Sequence, residues 1–331
     1  MRSSSSPGDL SAGFTRRSFT RIAALGLVAG AGAPGAASAA ATTTAEGGGQ
    51  VYYARARALA GSDPVLLALA QALTPGAELP RPPSPAPVKL FDNLVMLSAG
   101  WVSAMAVLTE EGIVLIDALT SPAEAEAVVV GGLREVGAVP ETIRYVVVTH
   151  GHDDHFGGAQ YLADRYGARV LMTPADWDLV ARADPEHAPA RDLEIADGQC
   201  LTLGGTGIRL HHTPGHTAGT VSPIIPLRAG RMRHTAMLWG GTNPPASLTE
   251  LRSYRAAIRS FRARMREAGV DVELSNHPND HGLQRAEQLR QQPDGVNPFV
   301  LGRPRAQRYM AVMDLMLLGR IADAHGTPIV K

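Results

Sequence analysis

The chain has 331 residues, with 31 lysines and arginines balanced by 31 aspartates and glutamates, so its formal net charge at pH 7 is zero. No global field favours nucleic acid or an anionic membrane surface, and we expect neither as a partner. The single cysteine, Cys200, excludes an internal disulfide. We expect this small side chain to be buried or half-buried at the start of a strand.

The N-terminal segment predicts export from the cytoplasm. Thr15-Arg16-Arg17-Ser18-Phe19 has the twin-arginine pattern, an apolar run follows over 22–33, and Ala37-Ser38-Ala39 is a small-residue cleavage site. The apolar run is too short and too rich in glycine to span a membrane, and no cysteine follows it, so we expect no stable membrane anchor after cleavage. Residues 1–39 are therefore interpreted as a signal peptide read by the twin-arginine export machinery. The mature protein would be periplasmic or extracellular.

About 290 of the 331 residues remain after cleavage, which is enough for one large domain. We expect a disordered start over 40–50, a helical segment over 51–73, and a proline-rich strap over 80–87. The prolines must make that strap extended, and we expect it on the domain surface. Residues 89–331 are predicted to form one continuous domain. Its last helix, from about Arg305 to Ala324, directs its methionines into the core.

In the first part of that domain, the sequence predicts three antiparallel strands at 94–98, 102–108 and 113–117. A hairpin turn at 110–112 joins the last two strands. A helix follows from Ser121-Pro122, with a good N-cap and a proline in its first position, and runs to about Val136.

The most informative segment is His150-Gly151-His152-Asp153-Asp154-His155. It follows a short β-branched strand, 145–149, and precedes a predicted helix over 156–167. The segment therefore lies on a loop at the carboxyl end of a strand, where open α/β sheets bind their ligands.

The side chains of this segment are those that a metal ion requires. Zinc binds neutral imidazole nitrogen and carboxylate oxygen. His150 and His152 can face one ion, while Asp154 and His155 turn toward a second. A polar loop without metal is the weaker interpretation, because four ligand-type side chains share six residues.

Two further histidines follow predicted strands. His216 lies in the Pro/Gly turn 213–220, after the apolar strand 208–210, and this turn fixes one imidazole at a strand end. His277 ends the strand 272–276. Three predicted strands are thus each followed by a histidine, which indicates one shared metal site.

These three features together resemble the metallo-β-lactamase superfamily, and the resemblance extends over about residues 89–282. It implies an α/β (αββα) sandwich of two mixed β-sheets flanked by helices, and makes 89–331 a catalytic domain. It also implies two zinc ions per chain at one edge of the sandwich. Carried over by position, the first zinc would be held by His150, His152 and His216, and the second by Asp154, His155 and His277.

One departure from the superfamily pattern is informative. Many of its hydrolases carry a bridging aspartate after the strand that follows the histidine turn. Here that strand, 235–239, is followed by Gly240 and Gly241, and Gly241 stands in the place of the aspartate. The missing carboxylate, the lack of cysteine there and the stretch 253–261 are similar to subclass B3 metallo-β-lactamases. The disulfide that many B3 enzymes carry is absent, since the chain has one cysteine.

The resemblance implies zinc-dependent hydrolysis of an amide or ester carbonyl in a small molecule by a metal-bound hydroxide, with β-lactams as candidate substrates. Asp154 would be the catalytic residue, because it would both bind zinc and hold the hydroxide. No GxSxG nucleophile segment competes with this mechanism. A lactonase or esterase of secondary metabolism is the alternative. A metal-binding oxidoreductase of the superfamily is disfavoured by the missing bridging carboxylate.

Other residues are expected to support the site. Asp117, at the end of its strand, would either orient a ligand histidine or cap the following helix. We expect the loops 183–191 and 240–248 to shape the substrate pocket. Thr242, Asn243 or Ser247 would then either hydrogen-bond to a substrate carboxylate or serve as turn residues.

Overall fold

The computed structural model describes residues 48–325. The predicted signal peptide and most of the predicted disordered start lie outside these residues. At the end of that start the prediction is wrong for Gln50, the first residue of helix α1 (Gln50–Ala60). The reason is a contact with the C-terminal helix: the Gly49 backbone N–H donates to Asp323 Oδ1 at 2.8 Å.

The first β-sheet has seven strands, arranged in chain order. They are β1 (Val88–Phe91), β2 (Leu94–Ser98), β3 (Ser103–Thr109), β4 (Gly112–Ile116), β5 (Ile143–Val147), β6 (Arg169–Met172) and β7 (Leu193–Glu194). The pairs from β1 to β4 are antiparallel, and those from β4 to β7 are parallel. Strands β2 and β4 are buried along their whole length, which explains their continuous apolar sequences.

The second sheet has five strands in the order β12-β11-β10-β9-β8. They are β8 (Gln199–Leu203), β9 (Thr206–His212), β10 (Val221–Ala229), β11 (Met232–Trp239) and β12 (Val272–Ser275). Only β11 and β12 pair in parallel. The two sheets face each other across one apolar cluster, in which Val107 and Ile116 of the first sheet meet Leu210 and Leu238 of the second.

Helices cover both outer faces of this sandwich. On the second sheet they are α1, α2 (Pro64–Ala72), α8 (Leu248–Ala268) and α10 (Arg303–His325). Those near the first sheet are α3 (Pro122–Glu124), α4 (Gly131–Glu135), α5 (Asp153–Phe156), α6 (Ala159–Tyr166) and α7 (Pro174–Ala183), while α9 (Gly282–Gln291) contacts β1. The predicted sandwich of two mixed sheets flanked by helices is confirmed. Tyr53 and Leu66 of the N-terminal helical segment lie in the same core cluster as α8 and α10.

Two local predictions are wrong. The helix predicted over 156–167 begins only at Ala159, as α6, and a separate short helix, α5, ends just before Gly157-Gly158. A Cβ on Gly157 would overlap the Thr120 carbonyl and one on Gly158 the Ala118 carbonyl, so only glycine fits at these two positions between the helices. Asp154 and His155 were expected on a loop, but both lie within α5.

Cys200 is the second error, because its side chain is exposed. It lies on β8, the edge strand of the second sheet, where alternate side chains face solvent. Elsewhere the strap 80–87 contains no helix or strand and lies at the surface as predicted, and Met310 and Met313 are buried. No helix within 48–325 is long and apolar enough to cross a membrane.

Candidate metal centre

Three strand ends bring the predicted ligands together. His150 and His152 follow β5, His216 follows β9, and His277 follows β12. Ligand atoms of His150, His152 and His216 lie within 4.8 Å of one another, and so do those of His150, Asp154 and His155. His277 completes the group, since its Nε2 is 3.3 Å from Asp154 Oδ2. All six predicted ligands therefore share one site, and their division between two ions stays a prediction.

Backbone carbonyls orient two of these imidazoles. His216 Nδ1 lies 2.6 Å from the Asn243 carbonyl oxygen, and His277 Nδ1 lies 2.9 Å from that of Trp101. A carbonyl oxygen only accepts hydrogen bonds, so each Nδ1 carries the proton. The lone pair of each imidazole is thereby left on Nε2, which faces the centre of the site.

Asp117 orients two more of the five imidazoles, those of His155 and His150. Its Oδ2 accepts from His155 Nδ1 at 2.8 Å and from the Thr149 hydroxyl at 2.9 Å. Because the Thr149 hydrogen is used in this way, its oxygen accepts from His150 Nδ1 at 3.2 Å. Asp117 thus contacts one candidate ligand directly and a second through Thr149. It does not cap the next helix, whose N-cap is Ser121.

The inward-facing nitrogens make a site that fits a cation. His150 Nε2 and His216 Nε2 are 3.0 Å apart, and His155 Nε2 and His277 Nε2 are 3.2 Å apart. Burial, reinforced by the neighbouring histidines, holds the pKa of His150 well below its usual range and lowers that of His216 to about 3. Both rings are neutral at pH 7, so their lone pairs repel each other unless a cation lies beside them. Nitrogen and carboxylate donors of this kind suit zinc.

The second half of the site also favours positive charge. Burial opposes protonation of His155, yet the carboxylates of Asp117 and Asp154 raise its pKa to about 10. Burial likewise opposes ionisation of Asp154, but hydrogen bonds to His155 and His277 hold the pKa of its carboxyl far below the usual range. Either a proton on His155 or a bound divalent ion can balance the negative charge of Asp117 and Asp154. The imidazole and carboxylate donors of this half of the site suit the divalent ion.

Asp176, which the sequence analysis missed, joins the two histidine-bearing loops. This buried carboxylate on α7 accepts from Gly151 N at 2.9 Å, from the Thr217 hydroxyl at 2.7 Å and from Gly219 N at 3.0 Å. Gly151 separates His150 from His152, and Thr217 follows His216. The only sequence signal was an aspartate in the first turn of a predicted helix, where aspartate is common.

The cleft above the site differs from the prediction. Its lining comprises Leu79, Pro80, Arg81, Trp101, His152, Asp154, His216, Asn243, His277 and Asn279. The loop 183–191, expected at its edge, does not contribute, because the residues that precede and begin the proline-rich strap occupy one wall. Of the three candidate hydrogen-bonding residues, Asn243 lines the cleft. Ser247 caps α8, and Thr242 is buried.

Gly241 lies directly against His216. A Cβ built on Gly241 would overlap the His216 ring. An aspartate at this position would therefore displace that imidazole from its present place. The site as folded has one carboxylate among its six candidate ligands, namely Asp154.

Comparison with known proteins agrees with this geometry. Residues 99–228 match the family model described as the metallo-β-lactamase superfamily. The chain is 40% identical over 108 residues to a hydroxyacylglutathione hydrolase of Acidiphilium cryptum, a match that covers 33% of this chain and only 40% of that relative.

Solved structures share the fold over most of their length. A subclass B3 metallo-β-lactamase of Bradyrhizobium japonicum superposes with a TM-score of 0.59 at 21% identity, over 70% of this chain and 92% of that one. The metallo-β-lactamase of Legionella gormanii gives a TM-score of 0.61 at 20% identity, over 70% and 94% of the two chains. At these identities the likeness establishes the fold alone.

Proposed function

We propose that this chain is a member of the metallo-β-lactamase superfamily and a B3-like zinc-dependent hydrolase that cleaves an amide or ester carbonyl in a small molecule. The observation that carries the proposal is the donor set. Four imidazoles are held by their Nδ1 atoms with their Nε2 atoms facing inward, beside a single carboxylate and a fifth histidine.

Zinc, when bound, lowers the pKa of a coordinated water toward 7 and polarises the substrate carbonyl, by general Lewis-acid chemistry. His150, His152 and His216 would hold one ion, and Asp154, His155 and His277 the other. The residues behind them keep this geometry. Asp117 fixes one ring directly and a second through Thr149, and such outer hydrogen bonds maintain both tautomer and orientation.

Asp154 is the proposed catalytic residue. Its Oδ2 lies 3.4 Å from His155 Nε2 and 3.3 Å from His277 Nε2, and the carboxylate also lines the open cleft. It is ionised at neutral pH, because these histidines lower the pKa of its carboxyl despite its burial. It can therefore accept a hydrogen bond from the attacking water and orient it toward the carbonyl.

Two substrate classes follow from different observations. The B3 fold neighbours and the absence of a carboxylate or thiolate at Gly241 favour a β-lactam. The sequence match to a hydroxyacylglutathione hydrolase favours an ester-type bond, the second candidate, and a lactone belongs to the same class. We place the β-lactam first because the likeness to the B3 enzyme covers 70% of this chain, whereas the match to the hydroxyacylglutathione hydrolase covers 33%.

The test is a hydrolysis screen of the mature protein with nitrocefin, a carbapenem, a lactone and a hydroxyacylglutathione. We expect β-lactam turnover that a chelator abolishes and zinc restores. If both β-lactams are inert while the lactone or the glutathione ester is cleaved, the second candidate replaces the first. If no substrate is cleaved by zinc-saturated protein, the hydrolase proposal fails.

We also propose that the precursor reaches the periplasm or the exterior by the twin-arginine route, on the evidence of Arg16-Arg17 and the cleavage site at Ala37-Ser38-Ala39. This route suits a protein that folds in the cytosol, since its one cysteine requires no oxidising compartment.

A further inference from the structure

The proline-rich strap is fixed against the hairpin loop between β2 and β3. The Ser84 hydroxyl donates to the Ser98 carbonyl at 2.6 Å. Gly100, at φ +95°, lies so close to the strap that a Cβ there would overlap the Pro82 carbonyl. The prolines restrict the strap backbone further, so its start is a rigid wall of the cleft.

This wall places Arg81 beside the candidate metal site. The Arg81 guanidinium lies 4.1 Å from the centre of the Trp101 ring. The Trp101 ring centre is in turn 5.8 Å from that of His277, and the Trp101 carbonyl accepts the His277 Nδ1 hydrogen bond. Arg81 therefore reaches the site through a single intervening side chain.

This contact with Trp101 uses no N–H hydrogen bond of the guanidinium. The N–H donors lie in the plane of the guanidinium and remain available to a bidentate anion. Within residues 48–325, Arg81 makes no ion pair or side-chain hydrogen bond under the usual distance limits. The only other non-histidine charge lining the cleft is Asp154, which faces His155 and His277.

We propose that Arg81 is a specificity-determining residue that binds an anionic group of the substrate, a carboxylate, on the strap side of the cleft. Trp101 would pack against the apolar part of the substrate next to that group. The inference rests on the proposed hydrolase function and narrows its substrates to carbonyl compounds that carry a carboxylate. A purely structural Arg81 would instead only hold the strap against Trp101.

A pair of matched substrates separates these roles. One ester carries a free carboxylate, and the other has the same group as a neutral methyl amide. In Arg81→Gln we expect kcat/KM for the anionic ester to fall roughly 10- to 100-fold, mainly through KM, because a charge-assisted bidentate contact is lost. Turnover of the neutral ester should change less than about twofold. Arg81→Lys, which keeps the charge but loses the planar fork, should lie between the two.

The matched control is Arg165→Gln. Arg165 also lies over an aromatic ring, that of Tyr166 at 5.8 Å, but it does not line the cleft. This variant should hydrolyse both esters like the wild type. Equal losses on both esters in Arg81→Gln would overturn the proposal, because they would indicate a collapsed wall rather than a lost anion contact.

A binding measurement keeps this test separate from that of the hydrolase proposal. Calorimetric titration of metal-free protein with benzoate should give a Kd at least about tenfold weaker in Arg81→Gln than in wild type or Arg165→Gln. Equal binding by all three proteins, or no binding by any, would overturn the role of Arg81 whatever the hydrolysis screen finds. If no substrate is hydrolysed but Arg81→Gln alone binds benzoate more weakly, the hydrolase proposal fails and the anion-binding role of Arg81 stands.

Discussion

Replacement of Asp176 by Asn tests how the two histidine-bearing loops are held together. In the wild type, Oδ2 accepts from Gly151 N and the Thr217 hydroxyl, while Oδ1 accepts from Gly219 N. Asparagine retains one acceptor oxygen and puts an NH₂ group in place of the other. At least one donor of the loops then faces another donor inside the protein.

The size of the effect follows from these contacts. A buried donor left without a partner costs about 1–3 kcal/mol, and the remaining bonds weaken because the charge is gone. Removing the charge offsets part of this loss. Burial raises the pKa of Asp176 despite its hydrogen bonds, which means that the ionised carboxylate is itself unfavourable in the folded protein, and asparagine carries no charge. We expect a net destabilisation of about 2 kcal/mol and a zinc affinity weakened about 10- to 100-fold.

The measurements are thermal unfolding of the metal-free protein and a competitive zinc titration. Asp178→Asn is the matched control, since Asp178 lies on the same helix but pairs with Arg191 at the surface. Exposed pairs contribute about 0–1 kcal/mol, and this variant should bind zinc normally. If Asp176→Asn loses no more stability than the control and binds zinc as tightly as wild type, the two loops are positioned by other contacts.

Three further predictions concern separate parts of the chain. Asp154→Ala should lower kcat by more than the ~100-fold that is typical when a hydrogen-bond partner of a metal ligand is removed. If the variant keeps its zinc and most of its activity, Asp154 is not the catalytic residue. Changing Arg16 and Arg17 to Lys should leave folded precursor in the cytosol, and unimpeded export of this double variant would refute the targeting prediction. Burial raises the pKa of Asp63, but Arg305, the Leu66 backbone N–H and Arg308 together lower it more, so the net shift is downward. The stability from this pair is then complete above the usual carboxyl pKa of about 3.9 and is lost as the pH falls below it. As the pH is lowered, the melting temperature of Asp63→Asn should therefore fall less steeply than that of the wild type. Parallel plots of melting temperature against pH would contradict this prediction.

Much of the fold was predictable because its signals are local. The strand 94–98 is an apolar run bounded by turn residues, and α8 repeats its apolar residues at helical spacing. The break between α5 and α6 was not predictable. It depends on how closely Gly157 and Gly158 approach carbonyls from another segment, and spacing along the chain carries no information about that approach.

The site divides in the same way. The six candidate ligands could be proposed from the sequence because metal binding restricts both residue type and spacing, and the structure places them in one cluster. Their role as metal ligands stays a prediction. Asp176 was missed because its partners lie 25 to 43 positions away in the sequence, on two other loops. The sequence predicts that the strap carrying Arg81 lies on the surface, but it does not indicate that the strap borders the cleft. An extended segment has no periodicity that shows which part of the domain it covers.

The central claim is a binuclear zinc centre built from His150, His152 and His216 on one side and Asp154, His155 and His277 on the other. Elemental analysis of zinc-saturated, dialysed mature protein tests it most directly, with His277→Ala alongside. We predict about two zinc ions per chain in the wild type and about one in the variant. A single ion per chain in the wild type at saturation, or a preference for iron over zinc, would contradict the claim.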